Sequence, residues 1–336
     1  MQLPCPRGPI TALVIDRLSG SSAAPLPGGA LPDAAAPLAD DDFQLALWML
    51  YELHYRGFDG VPDELEWDLD LLAVRARLEA RHESALRELV APIPACSPSD
   101  VPAELERVVS ADDGPSLSSY LQRRATAEQF REFVMHRSVY HLKEADPHAW
   151  GIPRLAGAAK AALVEIESDE YGTGRAERMH AELFRGLLRG LGLDDSYGRY
   201  VDDAPGWTLA VSNTISLFGL HRRWRGALAG HLAAFEMTSS LPNRGYSNGV
   251  QRLGFDAETA RFYDEHVEAD AVHEQIAAHD LCGNLARDEA DLVGDILFGA
   301  QVALAVERQF AERLLACWAQ GRSSLYRARE SDLLTA

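Results

Sequence analysis

His266, Asp270 and His273 stand in the stretch FYDEHVEADAVHEQIAAHD at spacings of four and three residues. On a helix turning about 100° per residue, Asp270 falls about 40° and His273 about 20° from His266 around the axis. Two imidazoles and a carboxylate on one stripe can hold a metal ion. A lone pair of histidines seven residues apart also fits a solvated polar face, so the rest of the chain has to decide. A second group lies in ALVEIESDEYGTGRAERMHAELF, where Glu177 and His180 form a Glu-x-x-His pair at i, i+3. Carboxylate-bridged di-iron bundles use that pairing, with further carboxylates from other helices. Glu170 precedes His180 by ten residues, and Gly172 and Gly174 between them interrupt a continuous helix and would let Glu170 move. Taken singly, each acid of residues 165–182 also fits an exposed acidic face.

The third group is a single residue. Glu236 sits in the apolar run GALAGHLAAF-E-M, where a carboxylate is costly unless it is paired or metal-bound. His231, about 140° away on the same helix, reads as a structural histidine. Imidazole and carboxylate donors without thiolate suit iron, manganese or zinc, and several carboxylates favour a two-metal iron or manganese site. Glu177, His180, Glu236, His266, Asp270 and His273 make three histidines and three carboxylates from three helices, and Glu170 adds a seventh donor.

The elements that must position these residues are helices. Apolar residues recur at three and four over 117–143, 155–171, 175–191, 207–238, 257–281 and 289–320. Asp256 reads as an N-cap, Gly283 as a C-terminal stop, and SSLPNRGYSNG as the connection between 238 and 257. No series of alternating Val/Ile/Thr-rich segments calls for a sheet. The expected class is all-α: a helical bundle over 111–336, a smaller helical unit over 43–110, and a flexible segment over 1–42 rich in Ala, Pro, Gly and Ser. The prolines of VAPIPACSPSDVPAEL mark the boundary. LALWMLYELHY and LLAVRARL carry more apolar surface than two short helices can cover between themselves, which predicts a homodimer through the first unit.

Composition narrows the partners. The 336 residues carry 51 acidic and 32 basic side chains, a formal charge of −19, which repels phosphate backbones and argues against nucleic acid. Cys5, Cys96, Cys282 and Cys317 form no CxxC pair, so a zinc ribbon or disulfide scaffold is not expected and a reducing compartment is. No apolar run nears the ~20 residues of a membrane span, and no signal peptide is evident; the expected location is the cytoplasm.

The Glu/His helix, the later lone Glu and His-x-x-x-Asp-x-x-His together resemble the haem-oxygenase-like di-iron oxidases and oxygenases, also described as iron-containing redox enzymes. The resemblance covers roughly residues 115–325 and includes the 30-residue gap from Glu236 to His266. It implies a haem-oxygenase-like bundle holding two iron ions, with O2 as co-substrate and electrons from an external donor. Members with an additional carboxylate before the metal-binding histidine resemble amine and guanidine N-oxygenases, and Glu170, given a catalytic role, places this chain nearer to them. Glu144 in HLKEADPH is open to the same part, although Lys143 and Asp146 beside it suggest a charged turn. The implied activity is N-oxygenation of an amine- or guanidine-containing, amino-acid-like small molecule in specialised metabolism. The alternative is oxidative desaturation, C–C cleavage or decarboxylation of an amino or fatty acid. A true haem oxygenase would need one proximal histidine, such as His136 or His141, and a thiaminase-like relative a nucleophilic cysteine, for which Cys282 is poorly placed. Arg175 and Arg222 are weak candidates for binding a substrate carboxylate; surface pairing within this acidic chain is the blander reading of both.

Overall fold

The structure is a computed structural model that describes residues 1–21, 32, 34–93 and 95–327. It is all-α, with no strand among the described residues. In chain order the helices are α1 (Pro9–Leu18), α2 (Asp41–Glu52), α3 (Leu69–Leu89), α4 (Val101–Ser110), α5 (Leu117–Arg123), α6 (Ala127–His141), the single turn α7 (Asp146–Ala149), α8 (Gly157–Glu170) and α9 (His180–Gly190). Then come α10 (Gly206–Leu220), α11 (Arg225–Arg252), α12 (Ala257–Gln275), a π-helical segment (Ile276–Gly283), α13 (Asn284–Asp288) and α14 (Val293–Ala319). No helix among the described residues is long and apolar enough to cross a membrane.

Local signals account for most of these ends. Asp256 caps α12 by accepting from the Thr259 backbone N–H at 2.9 Å. Thr126 and Gln129 form a capping box at the start of α6. Two helix boundaries differ from the sequence reading. Gly283 does not stop its helix, because the chain passes through the π-helical segment into α13 with Gly283 in helical geometry. Residues 239–252, expected as a connection, continue α11 through Pro242. Their small polar side chains form one face bonded along α12 and within α11: Ser239 donates to Asp270, Asn243 donates to Ser239 at 2.8 Å, and Ser247 donates to Asp264 at 2.6 Å. Tertiary bonding overrides weak helix propensity there.

The central layer is α11, which packs along both α12 and α14. Its backbone crosses α14 so closely that a Cβ on Gly230 would overlap the Ile296 carbonyl, and one on Gly299 would overlap that of Ala227. The N-terminal helices are not a separate layer. Phe43 through Glu52 are buried all round α2, which packs against α3 and α10, and one apolar core joins α1–α3 to the bundle. The apolar surface assigned from sequence to a dimer contact is thus covered within the chain. The expected flexible segment of residues 1–42 falls partly on residues 22–31 and 33, which lie outside the described residues. Before them, Ile10, Val14 and Leu18 of α1 are buried in the core.

Candidate metal centre

Five elements bring carboxylates and imidazoles to the buried middle of the bundle. The turn after α6 carries Glu144, α8 ends on Glu170, α9 begins with His180, α11 carries Glu236, and α12 carries His266, Asp270 and His273. Two donor groups form, each with its ligand atoms within 4.8 Å of one another: Glu144, Glu170, His180 and His266; and Glu170, Glu236 and His273. Glu170 belongs to both. Two ions held in these groups would share one carboxylate.

The tautomers are set by neighbours. His266 Nδ1 lies 2.8 Å from the Phe262 carbonyl, to which it donates, so Nε2 is left facing Glu144 Oε2 at 3.7 Å. His273 Nε2 is 3.0 Å from Asp169 Oδ2, which turns its Nδ1 toward Glu236 Oε2 at 3.5 Å. His180 Nδ1 and Glu170 Oε2 approach to 2.9 Å, but neither makes an aligned hydrogen bond. An imidazole fixed through one nitrogen and bare at the other is how proteins present histidine to a metal.

Glu144 Oε2, Glu170 Oε2, His180 Nδ1, His266 Nε2 and His273 Nδ1 are all buried without a hydrogen-bond partner. Each such atom costs about 1–3 kcal/mol unless something fills its valence. Five of them converging on one place fit a metal-binding centre, and hard oxygen donors with imidazole and no thiolate fit iron.

The electrostatics follow from burial and crowding. Burial opposes ionisation of Glu144, yet His141, whose Nδ1 is 2.8 Å from Glu144 Oε1, and His266 hold it well below the usual carboxylate range. Burial, together with Asp270 and Glu170, pushes Glu236 up to about 7 against the pull of His273. Burial also lowers the basicity of His266 and His273, but Glu144 and Glu236 respectively outweigh it and raise them to about 10 and about 9. Asp270 is raised by burial, and its Oδ2 accepts from Ser239.

A cavity of about 380 Å3 opens onto this cluster. Phe133, Tyr140, Phe235, Tyr246 and Tyr263 form its aromatic wall, and the exposed residues Asp112, Pro115 and Ser116 stand at its mouth. Along it, Arg137 of α6 and Glu307 of α14 form a two-pronged pair at 2.7 and 2.6 Å.

The structure brings together Glu170, His180, Glu236, His266 and His273, with the buried Asp270 lining the cavity outside both groups. Glu177 is not among them. Gly172, Thr173 and Gly174 all have positive φ, so the chain after Glu170 is not helical, the i, i+3 geometry with His180 is lost, and Glu177 is exposed on a 3-10 turn. Glu144 stands where Glu177 was expected. Arg175 and Arg222 are exposed and do not line the cavity. Arg223 and Arg225, neighbours of Arg222, pair instead with Glu83 and Glu289. His136 is bonded through both ring nitrogens to Thr208 and Ser324, and Cys282 is buried with its thiol pushed up by desolvation. His231 is buried against His148, their ring nitrogens 3.3 Å apart. Sequence reasoning missed Asp169, whose partner His273 lies 104 residues away, and considered His141 only as a haem ligand although it pairs with Glu144 three residues on; it also left Glu167 among the exposed acids although it is buried in the cavity wall.

No curated protein sequence matches the chain closely enough to count as a relative. Among solved structures it is similar to a CADD-like protein of unknown function from Nostoc punctiforme, at 15% identity and a TM-score of 0.52. That match covers 65% of this chain and 96% of the other, and it shows a shared fold. The model of the iron-containing redox enzyme family matches residues 131–308, which hold every donor of both groups. With more than half of its length inside that match, the chain belongs to the iron-containing redox enzyme family.

Proposed function

We propose that this oxidoreductase is a non-haem di-iron oxygenase that N-oxygenates an amine- or guanidine-containing small molecule. The observation that carries the reading is the pair of donor groups sharing Glu170. Glu144, Glu170, His180 and His266 would hold one ion, and Glu170, Glu236 and His273 the other, with Asp270 lining the same cavity outside both groups. Two iron ions held there would supply the reduction of O2 and transfer of one oxygen atom. A primary amine with O2, two electrons and two protons gives a hydroxylamine and water. The electrons come from an external donor.

The chain's own residues support nitrogen as the site of oxidation. The cavity is lined by more acids than bases, which favours a basic substrate. Glu144 adds a carboxylate to the first donor group, and an additional carboxylate is what the family resemblance read from the sequence implies for amine and guanidine N-oxygenases. The aromatic wall lowers the local polarity and strengthens the charges beside it. Burial first, and Glu144 next, hold the Tyr140 phenol well above its ordinary range, so its hydroxyl keeps its proton as a neutral hydrogen-bond donor in the cavity.

The test is to load the protein anaerobically with iron(II), add a reductant and a panel of amines and guanidines, admit O2 and analyse products by mass spectrometry. A product heavier by one oxygen, labelled from 18O2 and located on nitrogen, is the expected result. Alkene or chain-shortened products would replace N-oxygenation with C–H or C–C chemistry.

A further inference from the structure

Of the acids lining the cavity, all but one have an ion-pair or hydrogen-bond contact through at least one oxygen among the described residues. Glu144 pairs with His141, Glu170 with His180, Glu236 with His273, Asp270 with Ser239, Glu307 with Arg137, and Asp112 with Arg308. Glu167 has none. It is 3% exposed, it lines the cavity one turn before Glu170 on α8, and its Oε2 is buried without a hydrogen bond.

The charge balance singles out the same residue. Two divalent ions bring four positive charges, and Glu144, Glu170, Glu236 and Asp270 bring four negative ones, so the loaded cluster is neutral in sum. The Arg137–Glu307 and Arg308–Asp112 pairs also cancel. Glu167 remains as a carboxyl group with no countercharge in a desolvated wall, where burial and then Glu170 hold it toward its neutral form, and its ionised form needs a cation to come beside it. The cavity contains no free cation to do so among the described residues, so the partner must enter from outside.

We propose that Glu167 is the binding residue for a positively charged nitrogen group on the substrate: an ammonium, amidinium or guanidinium. The proposal rests on the reading of a nitrogen-containing substrate above and adds which residue receives it. A carboxylate fits this class because it accepts two N–H donors at once and supplies the missing charge. Its place beside Glu170 sets the bound nitrogen next to the metal cluster, not at the mouth.

Binding tests this without turnover. The iron(II)-loaded protein, kept anaerobic, is titrated by calorimetry with butylammonium, butylguanidinium and butanol, and iron per chain is measured in parallel. Expected is tighter binding of at least one cation than of butanol. Glu167→Gln should weaken that cation by roughly tenfold to a hundredfold, leave butanol unchanged and keep the parent's iron content. Equal binding of cations and butanol by the parent overturns the proposal, whatever the variant does. So does an unchanged cation affinity in Glu167→Gln, and so does iron loss in Glu167→Gln, which would make Glu167 a metal ligand. If cations bind through Glu167 but no nitrogen-oxidised product forms on admission of O2, the binding role stands and N-oxygenation falls.

Discussion

Replacing Lys143 by Met should loosen the metal centre from a distance by breaking one buried ion pair. Lys143 Nζ lies 2.8 Å from Glu52 Oε2, and the two side chains are 1% and 0% exposed. The ammonium also sits 4.1 Å above the Tyr55 ring and 5.2 Å from that of Trp48. Without it, Glu52 keeps the Tyr197 hydroxyl at 2.8 Å and the Arg56 backbone N–H at 3.3 Å, but no countercharge. Removing one partner of a fully buried pair costs about 3–5 kcal/mol, and the two surviving donors place this case near 3. For a chain of this size that lowers Tm by roughly 6 °C, at about 2 °C per kcal/mol. Lys143→Met combined with Glu52→Met removes both charges and should recover most of the loss, since an apolar replacement of similar volume is often neutral. Lys143 immediately precedes Glu144, and Glu52 belongs to α2, outside the family match, so the single variant should also bind iron more weakly although every donor remains. The assays are urea and thermal unfolding by circular dichroism, with iron per chain by absorbance of a ferrous chelate. A single variant within about 1 kcal/mol of the parent, or a double variant no better than the single, would refute the energetic argument. Unchanged iron affinity would refute the idea that the N-terminal helices position Glu144.

Asp169→Asn removes the carboxylate that holds His273 Nε2 at 3.0 Å, and iron affinity should fall roughly tenfold to a hundredfold, as measured by competition with a chelator. Gly172→Ala should destabilise the fold by about 1–3 kcal/mol and lower iron content, because φ is +63° and the added Cβ would lie 2.7 Å from the Arg178 carbonyl carbon and the Met179 nitrogen. The metal-free protein carries His266 and His273 raised from 6.5 to about 10 and about 9. Their contribution to stability is therefore full below pH 6.5 and lost as pH rises through 9 and then 10. Iron takes the deprotonated imidazoles, so the Tm gain on adding iron(II) should widen from pH 6.5 to 9; a gain that shrinks over that range would contradict the assignment of these two histidines.

What could be read from sequence is what one helix determines by itself. His266, Asp270 and His273 lie on one continuous helix, so their spacing alone gave their common face. Glu236 stood out because its neighbours are apolar. Glu177 failed because its pairing assumed a helix that three left-handed residues abolish. Glu144 was obscured by Lys143 and Asp146, which read as a charged turn; in the fold Lys143 is buried on Glu52, 91 residues away, and Asp146 accepts from Tyr171. The same holds for the fold at large. The helices of α2 and α3 were legible, but α10, which covers α2, lies some 160 residues further on, so uncovered apolar surface suggested a second chain. The run from Ser239 to Arg252 looked like a loop because its helix is held by bonds to α12 that no local pattern encodes.

The sharing of Glu170 between two donor groups is tested most directly by anaerobic iron(II) titration of the parent beside Glu144→Ala, Glu170→Ala and Glu236→Ala, with all four shown folded by circular dichroism. The parent should take up about two iron ions per chain, Glu144→Ala and Glu236→Ala about one tight ion each, and Glu170→Ala well below one, because only Glu170 serves both groups. A parent that saturates at one ion, or a Glu170→Ala protein that still holds two, would contradict a di-iron centre bridged by Glu170.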